Sequence, residues 1–292
     1  MPTENVSKVS MVGKGNANIV VSFGDDKKVL YRLSIRYGES LEANNEYSLI
    51  NWRFIQRKIV PKLGIYLCSM ELVNLELTAE LAQLYSSYVT INPAKPDTII
   101  SFKLPNLKPS VHFTNCIYRD HQTVLYSHSY QDSFIMEIKP KWLHNPLEYC
   151  RNCTHNKYKG RNISYCYRNL LFEKGDYLKD ILSSSNISNE KLNVMIQYFC
   201  KEDNVLQKIY NEQLNTYQQV QNGNINELPL LMTLRDVTCF IRWNFSSNGE
   251  DSLLHSNVKA SIIDVDLKPS EKKQHWVRME NILNSFDKKV FH

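Results

Sequence analysis

Four charged residues in the last quarter of the sequence stand where phosphate chemistry could be done. They are Asp236 in LRDVTCF and Asp264, Asp266 and Lys268 in IIDVDLKP. Phosphoryl transfer needs one carboxylate to accept a hydroxyl proton and another to hold Mg²⁺. The two must be adjacent, because metal and nucleophile meet at one phosphorus. The chain between them supplies the means. VTCFIRW (237–243) and NVKASIIDV (257–265) are β-branched and aromatic, and the turn-rich SSNGEDSLLHS lies between them. This predicts an antiparallel hairpin whose open ends bring Asp236 and Asp264 into one place. An ordinary hairpin with solvated charges at its ends fits the same pattern.

Cations gather in the middle of the chain. MEIKPKW (136–142) reads as a strand that delivers Glu137, Lys139 and Lys141 to one face, since alternate residues share a face. Two lysines on one face repel each other, and a bound polyanion relieves that; a solvated edge strand kept from aggregating is the other reading. Between Lys139 and Arg161 stand six Lys or Arg and two His, opposed only by Glu148. Such a patch expects a phosphate-rich metabolite, nucleic acid or anionic lipid. Within YCRNCTHNKYKGR (149–161), His155 and Lys159 are four apart and share a face if the segment is helical. Cys150 and Cys153 have Cys-x2-Cys spacing, and Cys166 or a histidine could complete a zinc site. Buried reduced cysteines are the alternative.

A third candidate is GKGNANIVV (13–21). Glycine lets the backbone approach phosphates without a Cβ in the way, and flanking strands would hold such a loop over a nucleotide. No Gly-Lys-Ser/Thr follows and the third glycine of a dinucleotide fingerprint is missing, so a plain hairpin turn also fits.

These residues need a scaffold. Runs at 8–13, 18–23, 29–36, 98–104, 123–127 and 133–139 read as strands, and 41–60 and 76–89 as helices. From 170 to about 217 the pattern turns helical, ending in an Asn/Gln-rich helix end and loop at 211–227. The fold expected is α+β and two-lobed, with a sheet-rich N-terminal lobe (1–135) and a mixed C-terminal lobe (136–292). The 292 residues with 42% hydrophobic content suffice for a sizeable core. The net charge of +5 is too mild to imply nucleic acid by itself. No apolar run reaches the ~18 residues of a membrane span. The N-terminus reads without a signal peptide, so the expected address is cytoplasm or nucleus. An odd count of seven cysteines argues for reduced thiols.

GKGNAN (13–18), EIKPK (137–141), CRNCTHNKYK (150–159), LRDVTCF (234–240) and DVDLKP (264–269), in that order along nearly the whole chain, resemble the inositol-pentakisphosphate 2-kinase family in its short fungal form. The resemblance implies a fold distantly like a protein kinase. It implies ATP and Mg²⁺ as cofactors, and transfer to the 2-hydroxyl of inositol 1,3,4,5,6-pentakisphosphate to give the hexakisphosphate, phytate. Gly13, Gly15, Asn16 and Asn18 would cover ATP, with Arg32 or Arg36 on its phosphates. Residues 118–121 would lie near adenine. Glu137 and Lys139 would serve the nucleotide, Lys139 reaching the transferring phosphate. Lys141, His155, Lys159 and Lys268 would grip the inositol phosphates, with Lys272 in reserve. Asp236 would be the base, and Asp264, with Asp266 beside it, would bind Mg²⁺. The family's mid-chain Asn-Asn pair reads here as Asp203-Asn204, so only Asn204 carries over as a substrate contact. The zinc site of plant members belongs to an insertion and does not transfer to Cys150 and Cys153. A monomer acting on a small molecule, without membrane or nucleic acid, is expected. The rival is a nucleic-acid-binding module using the basic patch with Trp142, Tyr149 and Tyr158.

Overall fold

In the computed structural model of the chain, which describes residues 3–4, 8–25, 27–92, 98–108, 115–128, 132–163, 165–172, 178–179, 182, 187–247 and 254–292, the elements sort into two compact units. The first comprises Met1–Lys58 and Cys68–Lys108; the second comprises Ile59–Leu67 and Pro109–His292. The α+β, two-lobed expectation holds.

The first unit is a six-stranded sheet in the order β1-β5-β6-β4-β3-β2. Its strands are β1 (Thr3–Glu4), β2 (Val9–Lys14), β3 (Asn18–Phe23), β4 (Val29–Ser34), β5 (Glu71–Glu76) and β6 (Thr98–Pro105). All pairs are antiparallel except β1 with β5. Alternation sends Ile19 and Val21, Tyr31 and Leu33, Val73 and Leu75, and Ile99 into one core, closed by Leu41 of α1 (Leu41–Phe54) and by Leu81 and Tyr85 of α3 (Ala79–Tyr85). Both helices start on a side-chain cap: the Ser40 hydroxyl accepts from the Ala43 N–H at 3.1 Å, and the Thr78 hydroxyl from the Leu81 N–H at 3.4 Å.

A five-stranded antiparallel sheet in the order β11-β10-β9-β8-β7 organises the second unit. It contains β7 (Asn115–Arg119), β8 (Thr123–Ser127), β9 (Ser133–Ile138), β10 (Thr238–Ser247) and β11 (Leu254–Ile263). Trp243, fully buried on β10, meets Tyr198 edge-on and Phe199 tilted, both from α6 (Asn189–Cys200). Around the sheet lie α2 (Val60–Leu63), α4 (Arg151–Tyr158), α5 (Tyr167–Phe172), α7 (Val205–Gln221), α8 (Leu228–Leu234) and α9 (Lys273–Ser285). Buried Gln213 ties α7 to two neighbours: its amide donates to the Leu234 carbonyl at 2.9 Å and its Oε1 accepts from the His144 N–H at 2.9 Å.

The division between units falls earlier in the chain than residue 135. A boundary at 135/136 would cut β9 and strip β7 and β8 from the sheet they pair into. The hairpin expected from 237–243 and 257–265 is β10–β11, in register Thr238↔Ile263. Parts of the helical stretch expected from 170 (173–177, 180–181 and 183–186) lie outside the described residues. Among the described residues, no helix is long and apolar enough to cross a membrane.

Candidate functional site

The site is built outward from the open end of the β10–β11 hairpin. With Thr238 opposite Ile263, the residues just beyond the last pair are Val237 and Asp264, so Asp236 and Asp264 both lie within two residues of the hairpin's open end. Asp236 also closes the end of α8, its N–H donating to the Thr233 carbonyl at 2.9 Å. Its carboxylate is held from both sides: Lys141 Nζ lies 2.6 Å from Oδ1 and Lys268 Nζ donates to Oδ2 at 2.7 Å. Burial pushes the Asp236 pKa up, but Lys268 and then Lys141 outweigh it, and the carboxyl stays below its ordinary value. Asp264 has φ of +62°, the left-handed region where Asp and Asn are tolerated better than most residues. The Thr238 hydroxyl donates to its Oδ2 at 2.6 Å.

Behind Asp236 opens a pocket of about 240 Å³. Lys141, Arg151, Arg235, Lys268 and Lys272 line it, against the single carboxylate of Asp236. That excess of positive charge selects a dense anion. Arg151 and Arg235 are both stacked on Trp142, at 3.6 and 3.8 Å from its ring centroid. Arg151 is further anchored by Glu280 of α9. Arg235, by contrast, leaves Nε and Nη2 buried without an acceptor. Burial first, and Arg151 second, pull its pKa down to about 9, still protonated at neutral pH. A buried guanidinium with unspent donors at a pocket wall is poised for an anionic oxygen. His155 also lines the pocket, its pKa drawn down to about 4 by burial and then by Arg151, Arg161, Lys159 and Lys141, so it is neutral at pH 7.

Five of the sequence candidates therefore converge: Lys141, His155, Asp236, Lys268 and Lys272. Others take different places. β9 ends at Ile138, and the Lys141 N–H folds back onto the Lys139 carbonyl at 2.8 Å. The strand face expected to carry Glu137, Lys139 and Lys141 together is thus broken by the turn at Pro140. Glu137 stays on β9 opposite Phe240, Lys139 is exposed, and only Lys141 turns into the pocket. Lys159 is the exposed C-cap of α4, over the Tyr158 ring.

Asn204 is corrected outright as a substrate contact. It is buried and caps α7, its Oδ1 accepting from the Leu206 and Gln207 N–H groups while its amide donates to the Phe199 and Lys201 carbonyls. Every donor and acceptor it has is spent on the helix start. Tyr118 and Arg119 end β7 and residues 120–121 enter the β7–β8 turn, with Asp120 Oδ1 accepting from the Gln122 and Thr123 N–H groups at 2.7 Å. Asp266 is buried.

In the first unit, Gly13 sits on β2 at a bulge, and the Gly15 N–H donates to the Asn18 carbonyl at 2.8 Å across the turn that holds Asn16. Neither glycine has a positive φ. A Cβ on Gly13 would meet nothing within 4 Å, and one on Gly15 would come no closer than 3.8 Å to the Asn18 oxygen. Nothing within the unit demands glycine at either position. Arg32 is buried on β4 over the Phe102 ring, and Arg36 lies over the Tyr47 ring.

The sequence reading missed Arg235 as a pocket residue, although it stands next to Asp236 in LRD. Of the aromatic set offered for nucleic acid, Trp142 is covered by two guanidinium groups and Tyr149 is buried, while Tyr158 is exposed.

The sequence model of the family described as Inositol-pentakisphosphate 2-kinase matches residues 12–200 and 176–281. The chain belongs to the inositol-pentakisphosphate 2-kinase family. It is 36% identical to the Inositol-pentakisphosphate 2-kinase of Saccharomyces cerevisiae, over 97% of this chain and 99% of that one. It is 33% identical to that of Eremothecium gossypii, over 97% and 100% of the two chains, and 34% identical to that of Candida glabrata, again over 97% and 100%. As an inositol-pentakisphosphate 2-kinase family member it is an enzyme, a transferase acting on a small inositol phosphate, and a pocket crowded with cations around one carboxylate fits that substrate class.

Proposed function

We propose that this enzyme transfers the γ-phosphoryl group of ATP to the 2-hydroxyl of inositol 1,3,4,5,6-pentakisphosphate, giving inositol hexakisphosphate. The observation that carries the reading is the Asp236 carboxylate gripped by Lys141 and Lys268 inside a cationic pocket. Asp236, ionised at neutral pH, orients the acceptor hydroxyl and takes its proton as the bond to phosphorus forms. Lys141, Lys268, Lys272 and the unspent donors of Arg235 hold the flanking phosphates, fixing which hydroxyl faces Asp236. His155 adds a hydrogen bond to the same set. No residue needs to act as a covalent nucleophile.

Asp264 and Asp266 offer hard carboxylate oxygens one residue apart, a donor set that suits Mg²⁺. Asp264 and Asp266 would hold Mg²⁺, which would supply positive charge against the triphosphate. Toward ATP we assign Gly13, Gly15, Asn16 and Asn18 to phosphate cover by backbone groups, Arg32 or Arg36 to its phosphates, Glu137 to the nucleotide and Lys139 to the transferring phosphate. Support for the first of these is that neither glycine is required by its own unit's packing.

The test is incubation with γ-labelled ATP, Mg²⁺ and inositol 1,3,4,5,6-pentakisphosphate, with products separated by anion exchange. Label should enter hexakisphosphate, and a pentakisphosphate already phosphorylated at position 2 should stay unlabelled. Label on that second isomer, or none on either, would overturn the proposal. Stabilisation in a thermal shift by single-stranded RNA but not by the pentakisphosphate would return the nucleic-acid reading.

A further inference from the structure

A second cluster lies apart from Asp236, on the start of α4. Cys150 is the N-cap of that helix, Cys153 stands in its first turn, and Cys166 comes just before α5. All three are buried, with Ile163 and Val290 packed round them. Cys150 Sγ and Cys166 Sγ are 3.7 Å apart. The fourth member is remote in sequence: His292 Nε2 lies 3.3 Å from Cys153 Sγ. Backbone contacts deliver it. The Cys150 N–H donates to the Val290 carbonyl at 2.7 Å, and the Val290 N–H donates to the Thr154 hydroxyl at 3.0 Å. Residue 290 is thereby strapped to the first turn of α4, and the histidine two residues on is aimed at the sulfurs.

We propose that Cys150, Cys153, Cys166 and His292 form a structural zinc site. The four ligand atoms lie within 4.8 Å of one another. Tetrahedral zinc with Zn–S bonds of about 2.3 Å holds its sulfurs about 3.8 Å apart, and with a Zn–N bond of about 2.0 Å it holds sulfur and nitrogen about 3.5 Å apart. The 3.7 and 3.3 Å separations sit close to those figures. Three sulfurs and one imidazole form a closed, soft donor set, which favours zinc over the hard cations and leaves no open position for chemistry. A core of plain thiols has only a weak S–H hydrogen bond to gain from the imidazole, whereas a metal needs it to fill the tetrahedron. Binding displaces the thiol protons and closes a loop from residue 150 to residue 292. It also fixes the start of α4, the helix that carries Arg151 and His155 to the pocket.

The experiment is metal analysis of the full chain, purified with a removable N-terminal tag, by inductively coupled plasma mass spectrometry. About one zinc per chain is expected. Cobalt(II) exchanged into the site should show the visible bands of a tetrahedral thiolate complex. His292→Ala keeps the three sulfurs and should fold. It should release zinc to a chromogenic chelator at least ~10-fold more readily than the parent, since even outer-shell partners are worth that much to affinity. Cys153→Ser should lose the metal. A folded parent chain without zinc, a Cys150–Cys166 disulfide in freshly purified protein, or a chelator response unchanged by His292→Ala would each overturn the assignment. None of these readouts depends on the phosphoryl-transfer reading, so the two proposals fail separately.

Discussion

Replacing Asp236 with Asn should separate catalysis from binding. The amide keeps the shape and removes the charge, so the loss in turnover is that of a general base, about 10²–10⁴-fold. Binding should move the other way. In the parent chain the ammonium groups of Lys141 and Lys268 contact different oxygens of one carboxylate, at 2.6 and 2.7 Å. Those contacts allow a separation of roughly 6 Å, the distance that sets their Coulomb energy. Without the intervening charge, their mutual repulsion is about 0.7 kcal/mol at the dielectric of water and about 3 kcal/mol at an effective constant near 20. Lys141 is 37% exposed and Lys268 17%, so the value falls between these limits, about 1 kcal/mol after screening. A polyanion set between the two lysines relieves that repulsion and no longer faces a carboxylate. Its affinity should rise about 5-fold. Isothermal titration with the pentakisphosphate in the absence of ATP measures the second effect, and steady-state kinetics the first. Turnover within a few-fold of the parent would remove Asp236 as the base. Binding weakened ten-fold would mean that the carboxylate organises the pocket rather than competing with its ligand.

Lys139→Ala should mainly lower kcat, while Lys141→Ala and Lys268→Ala should mainly raise KM for the inositol substrate, less so at high salt; kinetics with both substrates varied decides it, and a Lys141→Ala effect confined to ATP parameters would refute the split. Asp264→Asn tolerates the positive φ and keeps an acceptor for Thr238, so it should fold normally yet lose Mg²⁺-dependent nucleotide binding; an unchanged Mg²⁺ titration would move the metal elsewhere. Asn204→Ala should destabilise the fold by ~1 kcal/mol or more in chemical denaturation without changing KM for either substrate. Because the folded pKa of Asp236 is depressed, its contribution to stability is complete above the unfolded value of ~3.9 and is lost as pH falls through the lower folded one. In kinetics the acid limb should therefore lie lower in kcat/KM, which reports the free enzyme, than in kcat, which reports the substrate complex.

Much of the scaffold was legible because it rests on local rules. The alternation in 18–23 and 29–34 sends Ile19, Val21, Tyr31 and Leu33 into one core, and the β-branched runs flanking a turn-rich loop mark the β10–β11 hairpin, with Asp236 and Asp264 near its open end. Elements without a clean period were missed. β5 reads ELVNLE with Glu at both ends, β7 alternates weakly, and α9 buries only Leu283 of its thirteen residues, so it shows no continuous apolar stripe. Within the site, residues named by motif came together when their partners were also in motifs, as with Lys141, Asp236 and Lys268. The strand rule failed at Pro140, where a missing N–H ends the ladder and lets Lys141 turn away from Lys139. Asn204 misled because a helix cap and a ligand contact use the same side-chain chemistry. Arg235 and Glu280 have no local signal of their own; their roles exist only once Trp142 is placed between two guanidinium groups.

A carboxylate inside a polyanion pocket looks like an error of charge, and the geometry resolves it. Alone with a pentakisphosphate, Asp236 would repel the ligand. Paired with Lys141 and Lys268 it is a neutralised part of a wall whose net charge remains positive. The same pairing makes it a weak base in the empty pocket, since both ammonium groups favour its ionised form. Substrate phosphates compete for those ammonium groups and bring negative charge of their own. Both changes raise the proton affinity of Asp236, and they occur only when the acceptor hydroxyl is present. On the proposed mechanism, the lysines assigned to the substrate also set the strength of the base, which ties proton transfer to occupancy of the site. Arg235 is held on Trp142 with two donors unpartnered, so its charge remains for phosphate whatever Asp236 does, whereas Arg151 is shared with Glu280.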